Sequence, residues 1–430
     1  MTASLVLFLG SLLIMMCLGV PLFVTLAMAS IVYMLASGQT FLVMMMARRI
    51  FAGINSFTLL AIPLFILCGD LLSSGKVSKM LISFAESLVG TMRGSLAIVT
   101  TVASMFFGAV SGSGVATASA IGSVVAPEAE AKGYDKKFIA AIVATSGALG
   151  ILIPPSIPMV IYGAITGTSI AKLLLSGIGP GLMFGLVICG YSYWYSRKKG
   201  YEPSLKKLSL KKIYEQFKKS LWALITPLII LGGIYAGIFT PTEAAAVSTV
   251  YALFISMVVY KSITLKQLPE ILLKSAITNA TVMLITGSIV LFNWVLAREQ
   301  IPQALTRSIL SYIHSPIAFL FFTMLVLLIA GMFIDIPAAI ILLAPLFSPV
   351  VTKLGIDPVY YGAFMVSNLA IGLVTPPVAL NLYISSMICD LNFALLIKEV
   401  LPLVVILLLT VASFVFLPGI ITFIPKLLMG

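Results

Sequence analysis

The feature that most restricts this chain is a pair of broken apolar runs. "SGALGILIPPSIPMVIYG" covers residues 146–163, and "SNLAIGLVTPPVALNLYIS" covers residues 367–385. Each holds a glycine, three residues and a Pro-Pro pair, and the two lie 222 residues apart. Proline has no N–H and disfavours helix in the residue before it. Two in succession free backbone carbonyls. In hydrocarbon a free carbonyl is costly unless packed protein, water or a bound cation satisfies it.

The surroundings are those of a membrane chain. Of 430 residues, 60% are hydrophobic and 9% charged, against about 25% charged in soluble domains. A span needs about 20 apolar residues. Residues 4–36, 94–126, 138–167, 173–195, 221–239, 243–260, 277–297, 317–347, 360–389 and 399–424 all qualify, some with internal breaks. The expected fold is an all-α polytopic membrane protein with roughly a dozen membrane elements. The ten-residue alternation of an outer-membrane barrel is absent. The opening "MTASLVLFLG" lacks a basic n-region, so its apolar stretch is expected to stay as a span. Cys17, Cys68, Cys189 and Cys389 lie in apolar segments without CxxC spacing. They read as buried small residues, not a disulfide or metal site.

The net charge is +12, and nine lysines or arginines crowd residues 197–219 against Glu202 and Glu215. The positive-inside rule puts this segment in the cytoplasm, as a loop or as a helix lying on anionic headgroups. That reading is preferred to nucleic-acid binding. The segment divides the chain into a first half (1–195), a basic connection (196–220) and a second half (221–430).

A shift of 222 residues lays 116–155 on 338–377 with nine identities in forty positions. Among them are Pro127/Pro349, Gly133/Gly355, Asp135/Asp357, Gly150/Gly372 and both Pro pairs. Apolar composition does not put Gly, Asp and Pro-Pro in register, so the chain holds an internal repeat. Lys132, Lys136 and Lys137 flank the first Asp, whereas only Lys353 flanks the second. Equivalent loops of unequal charge point to opposite membrane faces, hence inverted halves. Segments 51–75 and 276–300 carry small polar residues mid-run: Asn55, Ser56 and Thr58, then Thr286, Gly287 and Ser288. Each is expected to be a re-entrant hairpin. Broken helices are expected near 106–126 and 328–347, and Pro-Pro helices at 138–167 and 360–389.

Carbonyls at a break, with a serine or threonine hydroxyl, are hard ligands suited to Na⁺. One Pro-Pro break would read as a kink; the duplicated pattern favours a pair of cation sites. The earlier break holds Ser111-Gly112-Ser113-Gly114, a poor helix former. Its counterpart holds Asp335, in register with Ser113. An ionisable residue in an apolar run is a candidate for function. His314 is the only histidine, and no Walker A sequence occurs. A His-based triad and ATP coupling are thus unsupported, leaving an ion gradient as the energy source.

Four segments carry a family resemblance: "NSFTLLAIPLFILCGDLL" (55–72), residues 111–163, "GIFTPTEAAAVSTVYAL" (237–253) and "IGLVTPPVALNLY" (371–383). In these the chain resembles the large membrane subunit of TRAP (tripartite ATP-independent periplasmic) transporters, the DctM family. The resemblance implies an inverted-repeat, elevator-type importer in the bacterial inner membrane. It implies Na⁺-driven uptake of an organic acid, such as a C4-dicarboxylate or sialic acid. It implies two partners: a small four-helix membrane subunit (DctQ-type) and a soluble periplasmic binding protein (DctP-type). It implies two or more Na⁺, held in the first half by Ser111, Gly112, Gly150, Ile153 and Ser156. In the second half Gly331, Gly372, Thr375 and Val378 would hold Na⁺. Substrate is expected between hairpin tips, near Asn55, Ser56, Ser113, Gly114, Gly287, Ser288, Asp335 and Asn368. Glu243 belongs to the resemblance; by its own chemistry it reads as part of a helix cap after Thr240. Thr117 stands where many members carry Asp. Rival readings are a stand-alone carboxylate symporter, an intramembrane enzyme using Asp335, and a passive channel.

Overall fold

The chain folds as helices broken where serine, glycine and proline deny the backbone its ladder. The computed structural model describes residues 3–38, 46–73 and 75–429, and every regular element among them is helical. The first half runs α1 Ala3–Cys17, α2 Leu22–Ala36, α3 Met46–Ile54, α4 Ala61–Leu72, α5 Gly75–Val89, α6 Ser95–Ser111, α7 Gly114–Ala131, α8 Lys136–Gly147, α9 Ile157–Thr166, α10 Ile170–Ser176 and α11 Ile178–Lys199. The second runs α12 Leu210–Tyr235, α13 Pro241–Phe254, α14 Leu268–Arg298, α15 Ile301–Tyr312, α16 Pro316–Phe333, α17 Ile336–Lys353, α18 Pro358–Gly372, α19 Leu380–Ile388, α20 Phe393–Phe416 and α21 Gly419–Met429. Seven described helices are long and apolar enough to cross a membrane, eight if α3 and α4 form one span.

The 222-residue shift survives in three dimensions. It carries both bounds of α7 onto those of α17, and α6, α8, α9 and α11 onto α16, α18, α19 and α20. Packing is reciprocal: α9 lies on α17 while α19 lies on α7, as a two-fold axis requires. Equivalent helices run in opposite directions. Phe184, early in α11, stacks on Phe414, late in α20, with centroids 6.5 Å apart. At the other end Lys198 and Lys199 share a recess with Lys398 and Glu399. The halves are therefore inverted, as the lysine asymmetry led us to expect.

Two clear hairpins lie at other places than the expected 51–75 and 276–300. Ser95 Oγ is 2.7 Å from Ser204 Oγ, and the Asp135 N–H donates to the Tyr201 hydroxyl at 2.9 Å. Both ends of the α6–α7 pair thus reach one loop, and its tip, residues 112–113, lies at the far end. Gly112 makes the turn with φ +63°, and Ser113 caps α7 by accepting the Ala116 N–H. In the second half Phe319 of α16 meets Phe347 of α17 edge-on at 6.1 Å, so this pair also folds back, around Asp335. The chain over 51–75 bends by 67° between Met46–Ile54 and Thr58–Leu72, the geometry of a broken span or a re-entrant loop; residue 74 lies outside the described residues. Residues 276–300 fall almost wholly within the continuous α14. There Thr286 satisfies its hydroxyl on the Val282 carbonyl one turn back. A few polar groups in an apolar run do not break a helix that can absorb them.

Two smaller expectations also meet the structure. Residues 210–220 are not a separate surface helix but the first turns of α12. Glu243 closes a capping box with Thr240, accepting the Thr240 N–H at 2.8 Å.

Candidate functional site

The two hairpin tips meet at one cavity of about 670 Å³. Ser111, Gly112, Ser113 and Gly114 line it from the first tip, and Asp335 and Pro337 from the second. Gly114 opens α7 and Ile336 opens α17, so the N-termini of both return legs border the space. Helix N-termini present unpaired N–H groups and favour anions. The lining also includes Asp70, Ser73, Lys274 and Thr278. Lys274 Nζ lies 3.1 Å from Asp70, and Ser275 donates to the same carboxylate at 2.6 Å.

Behind each tip, the hairpin packs against its Pro-Pro segment at a glycine. A Cβ on Gly150 would lie 2.3 Å from Thr117 Oγ1 and 2.5 Å from the Ser113 carbonyl oxygen. Thr117 Oγ1 donates to that carbonyl at 2.7 Å and lies 3.1 Å from Ser111 Oγ. The Pro155 carbonyl sits against Gly112, 2.6 Å from where a Cβ would stand. Neutral hydroxyl and carbonyl oxygens therefore crowd one spot beside the cavity. Ile153 continues the turn, its N–H donating to Leu149 at 3.1 Å. Ser156 is fully buried, caps α9 and donates its hydroxyl to the Ile151 carbonyl.

The second half repeats the crossing with other donors. A Cβ on Gly372 would lie 2.6 Å from the Gly331 carbonyl oxygen. Thr375 donates its hydroxyl to Ile371 at 2.7 Å and its N–H to Gly372 at 3.2 Å. The Val378 N–H donates to Met332 at 3.2 Å, tying the Pro-Pro loop to the second tip. Both Pro-Pro bonds, 154–155 and 376–377, are cis.

Ser113, Gly114 and Asp335 are thus brought together. Asn55, Ser56, Gly287, Ser288 and Asn368 are not among the residues that line this cavity. Asn55 and Ser56 sit exposed at the α3–α4 bend. Gly287 lets α3 approach α14, since a Cβ there would meet Ile50 at 2.7 Å, and its neighbour Ser288 is buried. Asn368 is buried in α18, donating to Phe364 at 3.0 Å while its Oδ1 has no partner among the described residues. Sequence reasoning missed the Asp70–Lys274 pair and Asn381. The latter is fully buried and donates to Ala144 at 3.0 Å, again with no partner for its Oδ1 among the described residues. A polar residue inside "VALNLYIS" was the available signal for it.

Inverted repeats, paired broken helices and a cavity between two hairpin tips are the plan of a membrane transporter. Comparison with known families agrees. The family described as "Tripartite ATP-independent periplasmic transporter, DctM component" matches residues 9–420, and the chain belongs to it. It is accordingly a multi-pass inner-membrane permease and not an enzyme. The C4-dicarboxylate TRAP transporter large permease protein DctM of Pseudomonas aeruginosa is 43% identical over 375 residues, covering 87% of this chain and 88% of the relative. The isethionate TRAP transporter permease protein DctMQ of Oleidesulfovibrio alaskensis is 39% identical over 94% of this chain, which spans only 63% of that relative's length. Among solved structures, Neisseria gonorrhoeae MtrF, titled as illuminating a class of antimetabolite efflux pumps, superposes with TM-score 0.63 at 13% identity. It covers 96% of this chain and 94% of its own, a likeness of fold.

Proposed function

We propose that this permease imports an organic anion by coupling it to Na⁺, as the large membrane subunit of a tripartite system. A small four-helix subunit and a soluble periplasmic binding protein would complete it, with the hairpin-bearing part moving as an elevator. The observation that carries the reading is the crossing at Gly150, where Ser111, Ser113 and Thr117 direct neutral oxygens at one spot beside the cavity. Such oxygens suit a hard monovalent cation. The anion would sit against the N-termini of α7 and α17, with Lys274 also lining the cavity. The two named relatives carry a dicarboxylate and a sulfonate, so the acid group, not one particular solute, is the shared chemistry. The test is uptake in proteoliposomes holding both membrane subunits and supplied with the binding protein loaded with its ligand. An inward Na⁺ gradient should drive accumulation, and K⁺ in its place should abolish it. Equal uptake in both would overturn the coupling.

A further inference from the structure

We propose that the recess between α11 and α20 binds the headgroup of an anionic phospholipid of the cytoplasmic leaflet. Both helices belong to candidate membrane spans, Ile170–Lys199 and Phe393–Phe416. They run antiparallel, so the end of one meets the start of the other. Between those ends lies an open recess of about 910 Å³. Its wall is aromatic: Tyr191, Trp194 and Tyr195, with Tyr191 and Trp194 centroids 5.9 Å apart. Its rim is basic: Lys198, Lys199 and Lys398. Lys198 Nζ sits 5.8 Å from the Trp194 ring centre and Lys199 Nζ 5.9 Å from that of Tyr195. Among the described residues Glu399 is the only acidic one lining it, so three lysines against one glutamate leave two positive charges.

This end of α11 runs into the lysine-rich connection that the positive-inside rule holds in the cytoplasm. Tryptophan and tyrosine belong at the headgroup level, and basic pockets between spans on that side suit acidic headgroups. The shared chemistry is a phosphate-bearing anion. A lipid is favoured over a soluble phosphate because the same two helices expose Leu186, Leu401 and Val405, which need an apolar neighbour. Gly190 keeps the floor open, since a Cβ there would meet nothing within 4 Å. An acyl chain has room to follow the groove.

The test is native mass spectrometry of the purified chain in neutral detergent. The probes are phosphatidylglycerol, cardiolipin, phosphatidylcholine and, as the soluble arm, glycerol 3-phosphate. Acidic lipids should be retained over phosphatidylcholine. Each rim lysine near an anionic surface is worth about fivefold in affinity. Lys198→Gln with Lys398→Gln should therefore weaken acidic-lipid binding by up to roughly 25-fold. Lys206→Gln with Lys207→Gln, an equal change in charge within the connection, should leave it unchanged. Equal losses in the two double variants would overturn the proposal. So would equal affinity for phosphatidylcholine, or glycerol 3-phosphate binding as tightly as the lipids. Should the lysine variants purify poorly, Trp222→Phe with Trp294→Phe leaves Trp194 as the sole tryptophan. Brominated phosphatidylglycerol should then quench Trp194 more than brominated phosphatidylcholine at equal mole fraction; equal quenching refutes the site.

Discussion

Substituting Gly150 by alanine tests whether the helix crossing beside the cavity is a cation site or a packing contact. The added methyl would lie 2.3 Å from Thr117 Oγ1, 2.5 Å from the Ser113 carbonyl oxygen and 2.9 Å from its carbon. Ordinary contacts begin near 3.4 Å, so the three atoms must retreat by roughly 0.5–1 Å. The Thr117 hydroxyl can rotate away, but the Ser113 carbonyl is main chain at the cap of α7 and moves only with the hairpin tip. Overpacking of this kind costs about 1–3 kcal/mol. If the retreating oxygens are the Na⁺ ligands, that energy opposes binding, and the Na⁺ concentration for half-maximal uptake should rise by about 5- to 150-fold. Gly372→Ala should act alike, because its methyl would meet Gly331 main-chain atoms at 2.6–2.7 Å. Gly232→Ala in α12 is the control, with nothing within 4 Å of its Cβ. The assay is initial uptake against Na⁺ concentration in proteoliposomes, with a detergent-solution melt run alongside. A Gly150→Ala variant that melts early yet keeps its Na⁺ half-saturation would show that the crossing only packs helices. One unchanged in both would show that the tip is mobile enough for the geometry not to matter.

Thr375→Ala removes a hydroxyl held 2.7 Å from the Ile371 carbonyl at the second break. One lost ligand or hydrogen bond is worth about 1 kcal/mol, so half-saturation by Na⁺ should rise about fivefold with protein abundance little changed; an unaltered Na⁺ response would remove Thr375 from the site. Ser113→Cys in a cysteine-free background should react with a membrane-impermeant maleimide from the cytoplasmic side when Na⁺ and substrate are absent. Its cavity is bordered by Asp70, Ser73 and Lys274, next to the segment where Lys76 anchors to the carbonyls of Tyr260 and Lys261. Labelling only from the periplasmic side would contradict that opening.

The repeat was legible because glycine, aspartate and Pro-Pro matched in register, and these residues fix backbone shape independently of their neighbours. The inversion was legible because charge marks membrane faces. Those two hairpins were missed because a reversal is a long-range fact. SGSG and IDIP announce a break, but only Ser95 against Ser204 and Asp135 against Tyr201 show that the first pair turns back. Thr286, Gly287 and Ser288 looked like a break and were not, since a helix can satisfy a threonine hydroxyl on its own carbonyl. Lys274 escaped notice for a similar reason: Asp70, its partner, lies in the other half of the chain.

Inversion of the fold does not make the two crossings chemically equal. The first gathers the hydroxyls of Ser111 and Thr117 around Gly150, whereas the second has alanine, Ala339, in register with Thr117 and draws on Thr375. Asp335 stands in register with Ser113, so the second tip brings a carboxylate to the cavity where the first brings a hydroxyl. One backbone plan thus carries two different sets of oxygens. If both crossings take up Na⁺ as proposed, unequal oxygen sets would let one ion stay bound while the other exchanges. Comparing the Na⁺ curves of Gly150→Ala and Gly372→Ala separates the two cases: distinct midpoints follow from distinct sites, and superimposable curves from a single shared one.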